Sequence, residues 1–281
     1  MKKSDTNSSG RLNITNVSID PVDVEGAAGI ISALIKERAA ASHDTSGEYG
    51  AGNSAGASEA RAAAYICTPN AEFMMDAQED EGFMRIINEA DLVVADGAGI
   101  VLAARMLGYG KINRTPGFDL AKKLLTEPDK FPFIFYFLGG RPGVAEKAAE
   151  NIVISNPDTR IAGCRDGYFK ENEEDKIISE INASGADILF VALGAPKAEK
   201  WIYKNRGKLN AAVCMGVGGT LDIFAETVKP APPFFRSHGL EWLYRLYREP
   251  WRAKRMLKLP RFVIFTLLWR MKGRPTARGN P

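Results

Sequence analysis

Several short stretches carry the residue types that chemistry needs, each just after an apolar run. Asp96-Gly97-Ala98-Gly99 sets a carboxylate beside glycines. An aspartate there could act as general base, with the glycines giving a ligand close access. The same residues also suit a tight turn whose aspartate caps a helix, and both readings stand. Thr68-Pro69-Asn70-Ala71-Glu72 offers a hydroxyl and an amide to a ligand, or a cap to the next helix. Gly139-Gly140-Arg141-Pro142-Gly143 and Gly216-Val217-Gly218-Gly219-Thr220 read as glycine-rich turns opening helices, where free backbone N–H groups favour anions. In Gly194-Ala195-Pro196-Lys197-Ala198-Glu199, Lys197 could meet a phosphate, a solvated surface lysine being the plainer account. Asp222 follows one turn into the last core helix, within reach of a ribose hydroxyl.

Other chemistries lack their residues. A G-x-G-x-x-G dinucleotide fingerprint starting at Gly216 would need glycine at Leu221, and no GxxxxGK[ST] P-loop occurs. No D-x-D pair is present, so no metal-bridged nucleotide-sugar site is expected and leaving-group charge falls to helix N-termini and arginines. His43 and His238 are the only histidines, too few for a zinc site or a histidine triad. Cys67, Cys164 and Cys214 form no CxxC pair and read as reduced thiols near strand ends.

The elements that must carry these turns alternate. Apolar runs at Ala63–Cys67, Leu92–Ala95, Phe133–Leu138, Ile188–Leu193 and Ala211–Met215, with a weaker one at Arg160–Gly163, predict strands covered on both faces. Helical spacing lies between them near 72–89, 98–107, 117–126, 142–155, 173–184, 197–207 and 220–226. Strand alternating with helix predicts an α/β fold, a Rossmann-like, mostly parallel doubly wound sheet. In such sheets ligands bind at the carboxyl ends of the strands, where the turns above fall. Upstream, residues 1–11 are polar and expected to be disordered. Leu12–Ile19 alternates like a strand, Val22–Ala41 is helical in spacing, and 42–58 reads as a flexible Gly/Ser/Ala loop.

The chain of 281 residues, 45% apolar and 25% charged, can bury one large core. Its net charge of +3 hides an asymmetry: residues 236–281 sum to +10, and the remainder to −7. We therefore divide the chain into a core at 12–231 and a basic amphipathic appendage at 232–281, separated by the break at Lys229–Pro233. Phe262–Trp269 is too short to span a bilayer. It suits either an interfacial helix on an anionic membrane surface or a C-terminal helix packed on the body. The first residues carry no apolar export signal, which predicts a cytoplasmic chain, and the basic appendage on its interfacial reading would hold it at the inner face of the membrane.

The order of motifs resembles the WecG/TagA/CpsF glycosyltransferase family. The matching pieces are the turns above together with Arg114-Thr115-Pro116-Gly117-Phe118-Asp119, Asp166-Gly167-Tyr168-Phe169 and Gly239-Leu240-Glu241-Trp242-Leu243-Tyr244-Arg245-Leu246, from about Leu12 to Phe265. The resemblance implies an inverting, metal-independent enzyme with no cofactor. Its donor would be a UDP-sugar and its acceptor GlcNAc on undecaprenyl diphosphate, with N-acetylmannosamine or its uronic acid transferred toward teichoic acid or a surface polysaccharide. By position, Asp96 is then the base for the acceptor hydroxyl, and Thr68, Asn70 and Arg114 line the sugar and acceptor pocket. Gly97, Gly139, Gly140, Gly194, Pro196, Lys197, Gly218 and Gly219 contribute to substrate binding. Tyr168 sits against the uracil and Asp222 on the ribose. Arg245, Arg252 and Arg255, at spacings of seven and three, would meet the acceptor diphosphate and departing UDP as the appendage closes.

The chain departs from the family pattern at Ala198, usually glutamine, at Glu226, usually glycine, and at Pro230, usually arginine. Two rival classes make different demands. A nucleotide-binding oxidoreductase needs the absent fingerprint. A nucleic-acid-binding protein would use the basic tail with steep salt dependence; Trp242, Trp251, Phe262, Phe265 and Trp269 within it fit a membrane interface at least as well, so no nucleic acid is expected. Self-association is left open.

Overall fold

A computed structural model describes residues 10–44, 62–228, 232, 234–235, 243–244, 247 and 257–272. The chain forms two compact units, one of Met1–Asp23, Thr68–Pro116 and Pro230–Pro281, the other of Val24–Cys67 and Gly117–Lys229.

The first unit opens with β1 (Leu12–Ile14) and β2 (Val17–Ile19), an antiparallel pair in register Leu12 to Ile19. The alternating stretch is therefore a hairpin and not one strand. Thr15 and Asn16, with φ of 50° and 71°, make the left-handed two-residue turn that a tight hairpin needs. Gly10 and Arg11 are ordered, against the expected disorder of 1–11. Arg11 Nε pairs with Asp20 Oδ1 at 3.0 Å, and its NH1 and NH2 donate to the Ala90 and Asp91 carbonyls at 3.1 and 2.6 Å.

The helix expected over 72–89 divides into α2 (Ala71–Glu79) and α3 (Glu81–Asn88). Asp80 is extended, at φ −132° and ψ 100°, and its Oδ1 accepts from Phe83 N at 2.9 Å, starting α3 where α2 stops. The strand β4 shrinks to Leu92–Val93, Val94 bridging Asp20 beyond it. α4 (Ala98–Met106) follows.

The last described helix, α10 (Lys258–Met271), packs on α2 and α4. Phe262 and Thr266 are fully buried, and a Cβ on Gly99 would come within 2.9 Å of Leu259 Cδ1 and 3.0 Å of Ala71 Cβ. Lys258 pairs with Asp76, and Arg261 NH2 with Glu79 Oε1 at 3.2 Å. Residues 257–272 thus belong to the packed body, as the second of the two sequence readings has it. Yet Ile264, Leu267, Leu268 and Met271 remain 45–80% exposed.

In the second unit β3 (Ala64–Cys67), β5 (Ile134–Gly139), β6 (Arg160–Arg165), β7 (Ile188–Ala192) and β8 (Val213–Gly216) form parallel pairs in the order β3-β8-β7-β5-β6. This is the Rossmann-like α/β arrangement. Its core rings are Phe137 and Phe190, stacked at 5.9 Å, with Phe135 tilted on Phe190 at 5.5 Å. Helices α1 (Val24–Asp44), α5 (Gly117–Thr126), α6 (Val144–Ser155), α7 (Glu174–Ala183), α8 (Lys197–Asn205) and α9 (Thr220–Phe224) complete the unit. α1 runs through Asp44, so residues 42–44 of the expected loop are helical; 45–58 lies outside the described residues. Most of the appendage before residue 257, with Arg245, Arg252 and Arg255, lies outside them too.

Candidate active site

In the first unit three sequence motifs are drawn together by backbone hydrogen bonds. Asp96 N donates to the Pro69 carbonyl at 3.1 Å, which ties the Thr68–Asn70 turn to the end of β4. Thr115 N donates to the Ala95 carbonyl at 2.8 Å, which brings Arg114 to the same strand end. Thr115 is fully buried, and its Oγ1 donates to the Val22 carbonyl at 2.6 Å, anchoring the segment from the other side. Thr68, Asn70, Asp96 and Arg114 are all half-buried. Four residues distant in sequence therefore surround one strand end.

Their local chemistry separates the alternatives that the sequence leaves open. Asn70 does cap α2: its Oδ1 accepts from Glu72 N at 2.9 Å and Phe73 N at 3.1 Å. That fixes the side chain and leaves the amide Nδ2 outside the cap. Asp96 directly precedes the N-cap of α4, which is Gly97. Gly97 stands at φ 92° and ψ 157°, a conformation that only glycine adopts without strain.

In the second unit the turns after four strands interlock. Gly140 N donates to the Ala192 carbonyl at 3.0 Å, Gly167 N to the Gly140 carbonyl at 2.9 Å, and Val217 N to the Val191 carbonyl at 3.0 Å. Gly139, at φ 130°, packs so closely that any Cβ would overlap the Ala192 carbonyl. Gly194 accepts from Ala198 N at 2.9 Å, and α8 then starts at Lys197 with no side-chain cap. Pro196 is its N-cap and follows a cis peptide bond. Tyr168 is 72% exposed, its turn held by Tyr168 N donating to Asp166 Oδ1 at 2.8 Å. Gly218 and Gly219 are exposed, and Asp222 is half-buried in α9.

Both units present polar turns at strand ends, and the parallel sheet of the second defines a Rossmann-like α/β protein. The chain belongs to the glycosyl transferase WecG/TagA/CpsF family, whose model matches residues 49–276. It is 36% identical to the N-acetylglucosaminyldiphosphoundecaprenol N-acetyl-beta-D-mannosaminyltransferase of Bacillus spizizenii, over 204 residues that make up 73% of this chain and 79% of that protein. The protein of the same name from Bacillus subtilis is 33% identical over 218 residues, 78% of this chain and 84% of its own length.

The family departures acquire physical meaning here. Glu226 sits at φ 58°, the left-handed region where the family's usual glycine is free of the strain that a side chain adds. Ala198 is 1% exposed, so this chain brings no polar group to that point.

Glu199 is a residue that the motif reading passed over. It is 4% exposed, and its Oε1 lies 2.5 Å from where a Cβ on Gly216 would stand, so the carboxyl packs directly against that glycine. Oε2 is buried with no hydrogen-bond partner among the described residues. Burial pushes the carboxyl up from 4.5 to about 7. The folded protein then keeps a proton that the unfolded chain releases between those values, so stability falls as pH rises through that window. The full effect is at most about 3 kcal/mol. The urea midpoint of the wild type should therefore drop between about pH 5 and about pH 8, and Glu199→Gln should flatten that slope. Equal slopes in the two proteins would assign the titration elsewhere.

Proposed function

We propose that the chain transfers N-acetylmannosamine, or a closely related N-acetylhexosamine or its uronic acid, from a UDP-sugar to GlcNAc on undecaprenyl diphosphate. The product would feed a cell-wall polymer such as teichoic acid or a surface polysaccharide. The observation that carries this reading is the gathering of Thr68, Asn70 and Arg114 around Asp96, in a chain whose relatives carry that acceptor and sugar in their names. Asp96 takes the proton from the acceptor hydroxyl as its oxygen attacks the anomeric carbon. The bond from that carbon to the UDP oxygen breaks, UDP leaves with the electron pair, and the configuration inverts. Thr68, Asn70 and Arg114 orient the sugars. In the second unit the uracil rests on Tyr168 and the ribose on Asp222, while Lys197 and the backbone N–H groups of the glycine turns take up the developing diphosphate charge. Arg245, Arg252 and Arg255 add to that charge stabilisation from the appendage.

The decisive assay incubates the protein with lipid-linked GlcNAc diphosphate and a panel of UDP-sugars, and follows UDP release. Absence of turnover with every N-acetylhexosamine donor would end the proposal. Because the sequence lacks a D-x-D pair, activity should survive EDTA in full. Loss on chelation, restored by Mn²⁺ or Mg²⁺, would reveal a metal requirement.

Such an acceptor lies in a membrane, yet no helix of the described residues is long and apolar enough to cross one. We assign the docking to the outer face of α10, where Ile264, Leu267, Leu268 and Met271 stand exposed in a helix containing Lys258, Arg261 and Arg270. Replacing these four apolar residues by serine should cut co-sedimentation with anionic liposomes by more than about tenfold, at roughly 0.8 kcal/mol per inserted CH₂. The unfolding midpoint should stay near wild type, since these side chains are already in water. Unchanged liposome binding would move the membrane contact elsewhere.

A further inference from the structure

Phe169 has no part in the reaction as described, but its ring is engaged. The Lys197 ammonium lies over it, 5.5 Å from the ring centroid. Lys197 is exposed at the first position of α8 and has no carboxylate partner among the described residues. The two residues come from different turns, after β6 and at the start of α8, and the β6 turn is held firmly. Gly167 N donates to the Gly140 carbonyl at 2.9 Å, and a Cβ on Gly167 would lie 2.8 Å from Leu193 Cδ2 and 3.2 Å from Gly139 Cα. Phe169 therefore extends from a turn wedged between two others.

The choice of an aromatic partner has a physical consequence. A lysine stem has many rotamers, and an unheld ammonium spends little time in any one place. A carboxylate would hold it but would also cancel its charge. The face of a ring attracts the cation through its quadrupole and leaves the positive charge whole. We propose that Phe169 is a positioning residue, whose ring holds the Lys197 ammonium, charge intact, for the diphosphate of a nucleoside diphosphate. This rests on the reading that the second unit's turns bind the donor's UDP.

The test is a double-mutant cycle read by calorimetric titration of the full-length protein with UDP and with uridine, which lacks the phosphates. Phe169→Leu should weaken UDP binding about two- to fivefold, the worth of an exposed cation–π contact. Phe169→Tyr should bind like wild type. Lys197→Met should weaken UDP by about tenfold or more, and adding Phe169→Leu to it should cost nothing further. Uridine affinity should not change in any of these proteins. The proposal is overturned if Phe169→Leu leaves UDP binding unchanged, if it weakens uridine as much as UDP, or if its cost persists in the Lys197→Met background. If the wild type binds no UDP at all, the donor reading falls and this proposal with it. Binding without coupling between the two residues sinks this proposal alone.

Discussion

Asp96→Asn is expected to lower turnover by about 10²–10⁴-fold, the usual contribution of a general base. Fold and UDP affinity should stay close to wild type. The substitution keeps size and polarity, and the bond that places the residue is made by its backbone: Asp96 N to the Pro69 carbonyl, at 3.1 Å. The N-cap of α4 is Gly97, and an asparagine beside it keeps the polar oxygen of the native side chain. What the variant loses is the capacity to accept a proton as the acceptor oxygen attacks. Steady-state UDP release with saturating substrates measures the loss, and an unfolding curve run in parallel checks the fold. A rate within about threefold of wild type would remove Asp96 from the role of base.

Phe262→Ala is expected to destabilise the protein by about 3–5 kcal/mol, the range for truncating a fully buried phenylalanine. That is a large fraction of the roughly 5–15 kcal/mol by which a domain is stable. Phe262 is 0% exposed and lies in the helix that packs on α2 and α4. The effect should reach the site as well. Asn70 starts α2, Gly97 starts α4, and Leu259 and Ala71 close around Gly99 one residue beyond Ala98. Loosening α10 therefore loosens the seats of Asn70 and Asp96, and the rate should fall together with stability. Ile264→Ala, on the 58% exposed side of the same helix, is the control and should stay within about 0.5 kcal/mol of wild type. A cost below about 1 kcal/mol for Phe262→Ala would mean that α10 is not part of the body. The same packing implies that truncation after Ala231 strips core as well as appendage, so a truncated protein's lost activity must be read beside its lost stability.

The sequence by itself determined what depends on neighbours a few residues apart. Unbroken apolar runs marked the strands of the second unit nearly in place. Turn chemistry located Asp96, Asn70, Gly139 and Lys197 at helix starts and strand ends, because capping groups and left-handed glycines act over one to four residues. The tertiary structure alone decided whatever depends on distant partners. That β8, last of the sheet strands in the chain, sits between β3 and β7 is set by side-chain fit across the whole sheet. No local pattern encodes it. Thr115 had no role of its own in the sequence motif, and its N–H and hydroxyl bind Ala95 and Val22 only in the fold. Glu199 carried no role in the motif reading, and only the fold shows it buried against Gly216. For α10 the sequence offered two surfaces, membrane or protein. The structure gives the protein its face, since Phe262 is buried where the helix packs on α2 and α4, while Ile264 and Met271 stay exposed. A hydrophobic residue is legible in sequence as something that will leave water. Which apolar surface it joins is settled only when segments far apart along the chain are brought together.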